Sequence, residues 1–321
     1  MIMLFVEPHS GPQPVIQVIT DARRQVDLNV YYLSSRPILS ALQRAARRGV
    51  QVRVILDEKP YGMRPAQVRK EAENLQRIGA RFHWAPARFE QSGGHWAFDH
   101  AKYVCNGHEC EIGTANYDWS AFHRNREYLY VTRNPRVVTA ARAVFAADWA
   151  GQRAPAWAHE ALVLSPGSQA DLVALLSRPG PVEVDSEEMG DDRAILAALA
   201  AKGSSARVIL PSSISRQDRR NVSWLVEHGV QVRLLPKRPV YMHAKMILAG
   251  GEAFIGSENF SEASLNENRE MGVVLTGPRD LAALSQSFEE DWSRARPFSG
   301  STREAGGYRS ESWWHHWSYR R

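Results

Sequence analysis

Apolar residues along the chain fall into short runs that switch between two periods. Residues 15–24 carry them at helical spacing, and 26–33 are β-branched and aromatic. Residues 37–48 return to helical spacing and stop at Gly49, a residue suited to a helix C-terminus. A strand over 50–56, a helix over 66–78 and a strand over 80–84 follow. The order then recurs: helix 168–177, strand 181–185, helix 191–202, strand 206–210, helix 216–228, strand 230–235. Strands alternating with helices predict a mostly parallel sheet covered by helices, and here they predict it twice.

The recurrence extends to letters. Laying residue 243 over residue 100, an offset of 143, gives a gap-free match. Its identical pairs include His100/His243, Lys102/Lys245, Gly113/Gly256, Asn116/Asn259, Arg126/Arg269 and Glu127/Glu270. Eleven pairs match between 100 and 127, where random pairing gives about two. The register persists to Asp148-Trp149 and Asp291-Trp292. Upstream the match is fainter, as in Arg53-Val-Ile-Leu56 against Arg207-Val-Ile-Leu210. The chain is therefore a duplication, with units expected over 1–153 and 154–298 and a tail over 299–321.

Each unit carries His-x-Lys, a turn, Gly-Thr/Ser-x-Asn and Asn-Arg-Glu. The stretch after His-x-Lys reads as a hairpin, with Asn106-Gly107 and Gly250-Gly251 as turn chemistry. Residues i and i+2 of a strand share a face, so His100 projects with Lys102 and His243 with Lys245. The motifs resemble those of the phospholipase D superfamily, H-x-K-x4-D followed by G-S/G-x-N, over nearly the whole chain. One departure is plain: Gly107 and Gly250 stand where the family has Asp.

The resemblance implies an α/β fold of two tandem phospholipase D-like α/β/α sandwich units, paired as a pseudo-dimer within one chain around one site. It also implies a phosphodiesterase working through a phosphohistidine. Lys102, Lys245, Asn116 and Asn259, with Thr114 and Ser257, would bind the phosphate, since a phosphodiester anion needs positive charge and neutral donors around it. One histidine would attack phosphorus and the other protonate the leaving oxygen. The family pattern points to His100 as nucleophile and His243 as acid/base, although the near-symmetry leaves the reverse open. Glu127 and Glu270 match the acidic residue that orients the histidines. The lysines do a cation's work, so no metal or cofactor is expected.

The remaining features bear on the substrate. The chain has 321 residues, 40 Lys and Arg against 35 Asp and Glu, and net charge +5. This mild basicity favours an anionic partner without choosing one. Glycerophospholipid is the first expectation, because family members with both motifs in one chain of this layout resemble phospholipases D and cardiolipin synthases. Hydrolysis is preferred to lipid synthesis, with transphosphatidylation open. A metal-independent nuclease and a non-catalytic phosphate- or nucleic-acid-binding protein are the alternatives. The partner expected is thus a phospholipid or membrane surface, with nucleic acid second and the protein itself a monomer.

No run approaches 18 apolar residues, and residues 1–6 read as a strand rather than a signal peptide, which suits a soluble chain, cytoplasmic or exported. Cys105 and Cys110 read as small buried thiols, with one cross-strand disulfide as the alternative. The tryptophans of Asp148-Trp149 and Asp291-Trp292 read as packing at a seam, and His83, His95 and His108 as ordinary residues. Glu187-Glu188, after a strand near the expected carboxyl edge of the second sheet, reads as a solvated loop, with contact to a substrate head group as the alternative. His95 and Trp96 could also line the cleft rim. Three of the ten tryptophans crowd into the tail, which could pack as an arm, rest at a lipid interface or stack on bases.

Overall fold

A computed structural model describes residues 3–90 and 96–299. His95 and nearly all of the tail, including its tryptophans, lie outside the described residues. The expected helices and strands form with bounds shifted by one to three residues, for example Gln13–Asp21, Gln25–Val30 and Arg36–Arg47. They assemble into two sheets of one design. The first runs Met3–Val6, Tyr128–Thr132, Cys110–Gly113, Lys102–Cys105, Gln25–Val30, Gln51–Leu56, Arg81–Trp84. The second runs Val163–Ser165, Glu270–Leu275, Glu252–Gly256, Met246–Ala249, Val182–Asp185, Ala206–Pro211, Gln231–Leu235, with Arg296–Pro297 added at the edge.

The sheets are mixed rather than mostly parallel. Only Gln25–Val30 with Gln51–Leu56 and Gln51–Leu56 with Arg81–Trp84 pair in parallel in the first sheet. The hairpin Lys102–Cys105/Cys110–Gly113 joins antiparallel to Gln25–Val30, and from there to the edge the strands alternate in direction.

Among the described residues three apolar clusters hold the layers. One lies between the first sheet and its outer helices, with Val18, Leu28 and Leu42. Its counterpart in the second half contains Leu172, Val184 and Leu199. The third is shared: Tyr103, Ile112, Val144 and Phe145 from one half meet Met246, Ile255, Leu284 and Phe288 from the other. The long helices Pro135–Trp149 and Pro278–Arg294 supply much of this common core, so the halves are fused by burial of apolar surface. Among the described residues no helix is long and apolar enough to cross a membrane.

Cys105 and Cys110, expected as thiols, are directly opposite each other across the hairpin and form a buried disulfide. Gly107 has φ +94° and Gly250 φ +57°, left-handed values that glycine adopts without a Cβ penalty. These turns sit about 15 Å along the strand from the lysines. The Asp missing from the family motif therefore belongs to the far end of the hairpin from the histidines.

Candidate active site

The two halves meet by exchanging short strands, and this exchange places the histidines. Just before His100, Asp99 bridges to Arg269 of the other half. The backbone N–H of His100 donates to Arg269 O at 2.8 Å, and that of Arg269 to Phe98 O at 2.9 Å. The mirror arrangement pairs Tyr241–Met242 with Asn125–Arg126. Each His-x-Lys segment thus lies beside the Asn-Arg-Glu of the opposite half.

The carboxylates are consequently crossed. His100 Nδ1 lies 2.9 and 3.1 Å from the two oxygens of Glu270. His243 Nδ1 lies 2.7 Å from Glu127 Oε1, close but poorly aligned for a hydrogen bond. The two glutamates are held firmly. Glu127 accepts from Thr114 Oγ1 at 2.6 Å and Asn125 Nδ2 at 3.1 Å. Glu270 accepts from Ser264 Oγ at 2.7 Å and Asn268 Nδ2 at 3.0 Å. Neither half can orient its own histidine.

A second crossed set lies behind the first. Arg126 makes a two-pronged ion pair with Asp291, at 2.6 and 3.0 Å, and donates to Glu7 O. Arg269 does the same with Asp148, at 2.8 and 3.1 Å, and donates to Ser165 O. All four side chains are buried. Bidentate geometry of this kind fixes orientation as well as distance. Trp149 and Trp292 do pack, on Phe145 and Phe288. The aspartates before them are the inter-half anchors, a role not foreseen.

The lysines are fully buried and donate backward: Lys102 Nζ to His100 O at 2.5 Å, Lys245 Nζ to His243 O at 2.7 Å. Asn116 and Asn259 each keep a buried side-chain oxygen without a protein partner. Thr114 and Ser257 depart from expectation. The single hydroxyl proton of Thr114 goes to Glu127, while its oxygen accepts from Tyr128 N. Ser257 Oγ accepts from Met271 N at 3.0 Å. These contacts tie both hydroxyls to the frame. Gly113 and Gly256 before them have no room for a side chain: a Cβ at Gly113 would lie 2.5 Å from Tyr128 O, and one at Gly256 2.6 Å from Gly272 Cα.

Burial dominates the electrostatics on the His100 side. Burial pulls the His100 imidazole down to about 4, against the opposing pull of Glu270, which leaves the ring neutral near pH 7. Burial also pulls the Lys102 ammonium down to about 7. Glu270 sits below its ordinary range: burial pushes it up, but His100 and Lys102 outweigh that.

Glu187 is not in a solvated loop. Its Oε2 accepts from Lys245 Nζ at 2.9 Å and lies 3.3 Å from His243 Nε2. Burial alone would raise this carboxyl, yet His243 and Lys245 hold it down at about 2. His83 stacks on Trp149 and His108 is exposed, so neither joins the site. Among the described residues no group of three or more His, Cys, Asp or Glu is arranged to hold a metal ion.

Comparison with known proteins bears on the family and the fold. The family model described as cardiolipin synthase, PLD-like domain, matches residues 15–149 and 186–292. No curated protein matches the sequence. The structure is similar to phosphatidylserine synthase of Haemophilus influenzae Rd KW20, at 11% identity and TM-score 0.70, covering 92% of this chain and 87% of that one. It is also similar to polyphosphate kinase of Porphyromonas gingivalis, at 16% identity and TM-score 0.68 over 91% of this chain. The chain spans 50% of that kinase's length. Nuc of Salmonella typhimurium, a phospholipase D family member, aligns with 48% of this chain and 96% of its own, at 18% identity and TM-score 0.41. At these identities the structural likenesses concern the fold.

Proposed function

The chain belongs to the phospholipase D-like family, and from that premise we propose that it is a phosphodiesterase acting through a phosphohistidine, without a metal ion, on glycerophospholipids. The observation that carries the proposal is the convergence of two histidines, each backed by the other half's glutamate, on two buried lysines. His100 is the nucleophile. Its Nδ1 proton is committed to Glu270, so in the neutral ring Nε2 carries the lone pair. His243 is the proton donor. Both of its nitrogens lie beside carboxylate oxygens, Nδ1 2.7 Å from Glu127 Oε1 and Nε2 3.3 Å from Glu187 Oε2.

In the first step His100 Nε2 forms a bond to phosphorus. The bond from phosphorus to the leaving oxygen breaks, and that oxygen keeps the electron pair and takes the His243 Nε2 proton. In the second step His243 Nε2 removes a proton from water, the water oxygen attacks phosphorus, and the bond to His100 breaks. Lys102, Lys245, Asn116 and Asn259 bear the charge on the phosphoryl oxygens throughout. The description of the matching family model supports a lipid substrate. The basic charge, with pI near 9.3, supports nucleic acid as a second reading.

Turnover of phosphatidylglycerol, phosphatidylcholine and single-stranded DNA in excess EDTA tests both. Lipid hydrolysis that survives EDTA and is lost in His100→Ala and His243→Ala is the expected result. Cleavage of DNA alone would replace the substrate, and loss of activity in EDTA would contradict the mechanism.

A further inference from the structure

The two halves are near copies, yet the site they build is not symmetric. Val30 pairs with Lys102, and Asp185 pairs with Met246, the residue after Lys245. The residue after each strand position facing a lysine is therefore Tyr31 in one half and Glu187 in the other. Tyr31 lies edge-on to His100, with centroids 4.7 Å apart, and Lys102 Nζ is 5.4 Å from its ring centre. Glu187 meets His243 and Lys245 with a carboxylate instead. The loop bearing it is tied down on several sides. Ser186 N donates to Ile209 O at 3.1 Å, and Ser186 Oγ to Glu188 O at 2.6 Å. Asn221 Nδ2 bonds the carbonyls of Met189 and Gly190. Gly190 lies so close to Ser261 that an added Cβ would sit 2.6 Å from the Ser261 Cβ. The carboxylate is a fixed wall of the site rather than a side chain free to swing away.

We infer that Glu187 determines leaving-group specificity: it accepts a hydrogen bond from an ammonium group on the departing alcohol and turns away polyanionic substrates. This deepens the phosphodiesterase reading and rests on it. The alcohol oxygen that takes the His243 Nε2 proton must come to that nitrogen, and Glu187 Oε2 is its immediate neighbour at 3.3 Å. A phosphate drawing on Lys245 removes a donor that Glu187 now uses at 2.9 Å, and a buried carboxylate needs a replacement. Formal charge points the same way. Glu127, Glu187 and Glu270 set three carboxylates beside the two lysines. A diester anion adds negative charge to that set, and an ammonium on the leaving alcohol offsets it. Each further phosphate, as in a nucleic acid, worsens the imbalance.

The test uses the full chain and Glu187→Gln, comparing kcat/KM for phosphatidylethanolamine with kcat/KM for a thymidine oligonucleotide carrying several phosphates. The preference for the amino lipid is expected to fall about tenfold or more, the loss of one charged hydrogen bond. An unchanged ratio in an active variant overturns the inference and leaves the phosphodiesterase reading intact. A second arm needs no turnover: the Kd of phosphoethanolamine against that of methyl phosphate, by calorimetry. Tighter binding of phosphoethanolamine to the parent protein, lost in Glu187→Gln, is expected even if no diester is cleaved. Equal affinities in the parent protein overturn the inference. Should Glu187→Gln not fold, Glu187→Tyr copies the residue already accommodated at the twin position and must show the same loss.

Discussion

Replacing Glu270 with Gln alters the second half of the chain and is expected to disable the histidine of the first. Glu270 receives His100 Nδ1 at 2.9 Å, Ser264 Oγ at 2.7 Å and Asn268 Nδ2 at 3.0 Å, all of them donors. A glutamine amide offers one oxygen and one NH2, so at least one of these donors would face another donor. The negative charge that stabilises the developing positive charge on His100 is also gone. A hydrogen bond to a charged group is worth about 1.5–3 kcal/mol. With the misplaced NH2 added, the loss comes to about 2–4 kcal/mol, a fall of about 30- to 1000-fold in the phosphorylation step. The assay is the pre-steady-state burst of p-nitrophenol from bis-p-nitrophenyl phosphate. Because p-nitrophenolate departs without needing a proton, Glu127→Gln, which acts on His243, should slow this burst far less. Equal slowing by the two variants, or a normal burst in Glu270→Gln, would refute the crossed division of labour.

Other perturbations probe the same account. The kcat/KM profile should rise as pH passes about 4, where His100 loses its proton, and fall as pH passes about 7, where Lys102 loses its charge. The falling limb should move to higher pH in kcat, because a bound phosphate anion favours the ammonium, and activity unchanged up to pH 9 would contradict it. Arg126→Met strands the buried Asp291 carboxylate and should cost about 3–5 kcal/mol in urea unfolding. Adding Asp291→Leu should recover much of that, and failure to do so would argue against the ion pair as the anchor between halves.

Much of this was legible in the chain because duplication writes the motif twice. The offset that aligns His100 with His243 also aligned Asn116, Glu127 and their twins, and periodicity located most elements within three residues. Pairing direction was not legible: a strand's own pattern does not say whether its neighbour runs parallel, so the reversal at Lys102–Cys105 was missed. The crossing of His100 to Glu270 was hidden for a related reason. A repeat shows that two residues are equivalent, not that each serves the other copy. Arg126, Arg269, Asp148 and Asp291 were all visible as repeated charges and could have been read as two ion pairs. Glu187 had a weaker signal, its place after a strand at the sheet's carboxyl edge, since its counterpart Tyr31 differs in kind and the repeat is faint there. Thr114 misled because a hydroxyl within a motif suggests a ligand, whereas its proton goes to Glu127.

The central claim is that two equivalent histidines do unequal work, with His100 as the one that bonds to phosphorus. Incubating His243→Ala with bis-p-nitrophenyl phosphate labelled on phosphorus, whose leaving group needs no proton, then quenching and mapping the label by mass spectrometry tests this directly. Without His243 to activate water, the intermediate should accumulate with the label on His100, and His100→Ala should retain none. Label on His243 in the His100→Ala protein, or no covalent phosphorus in any variant, would contradict the account.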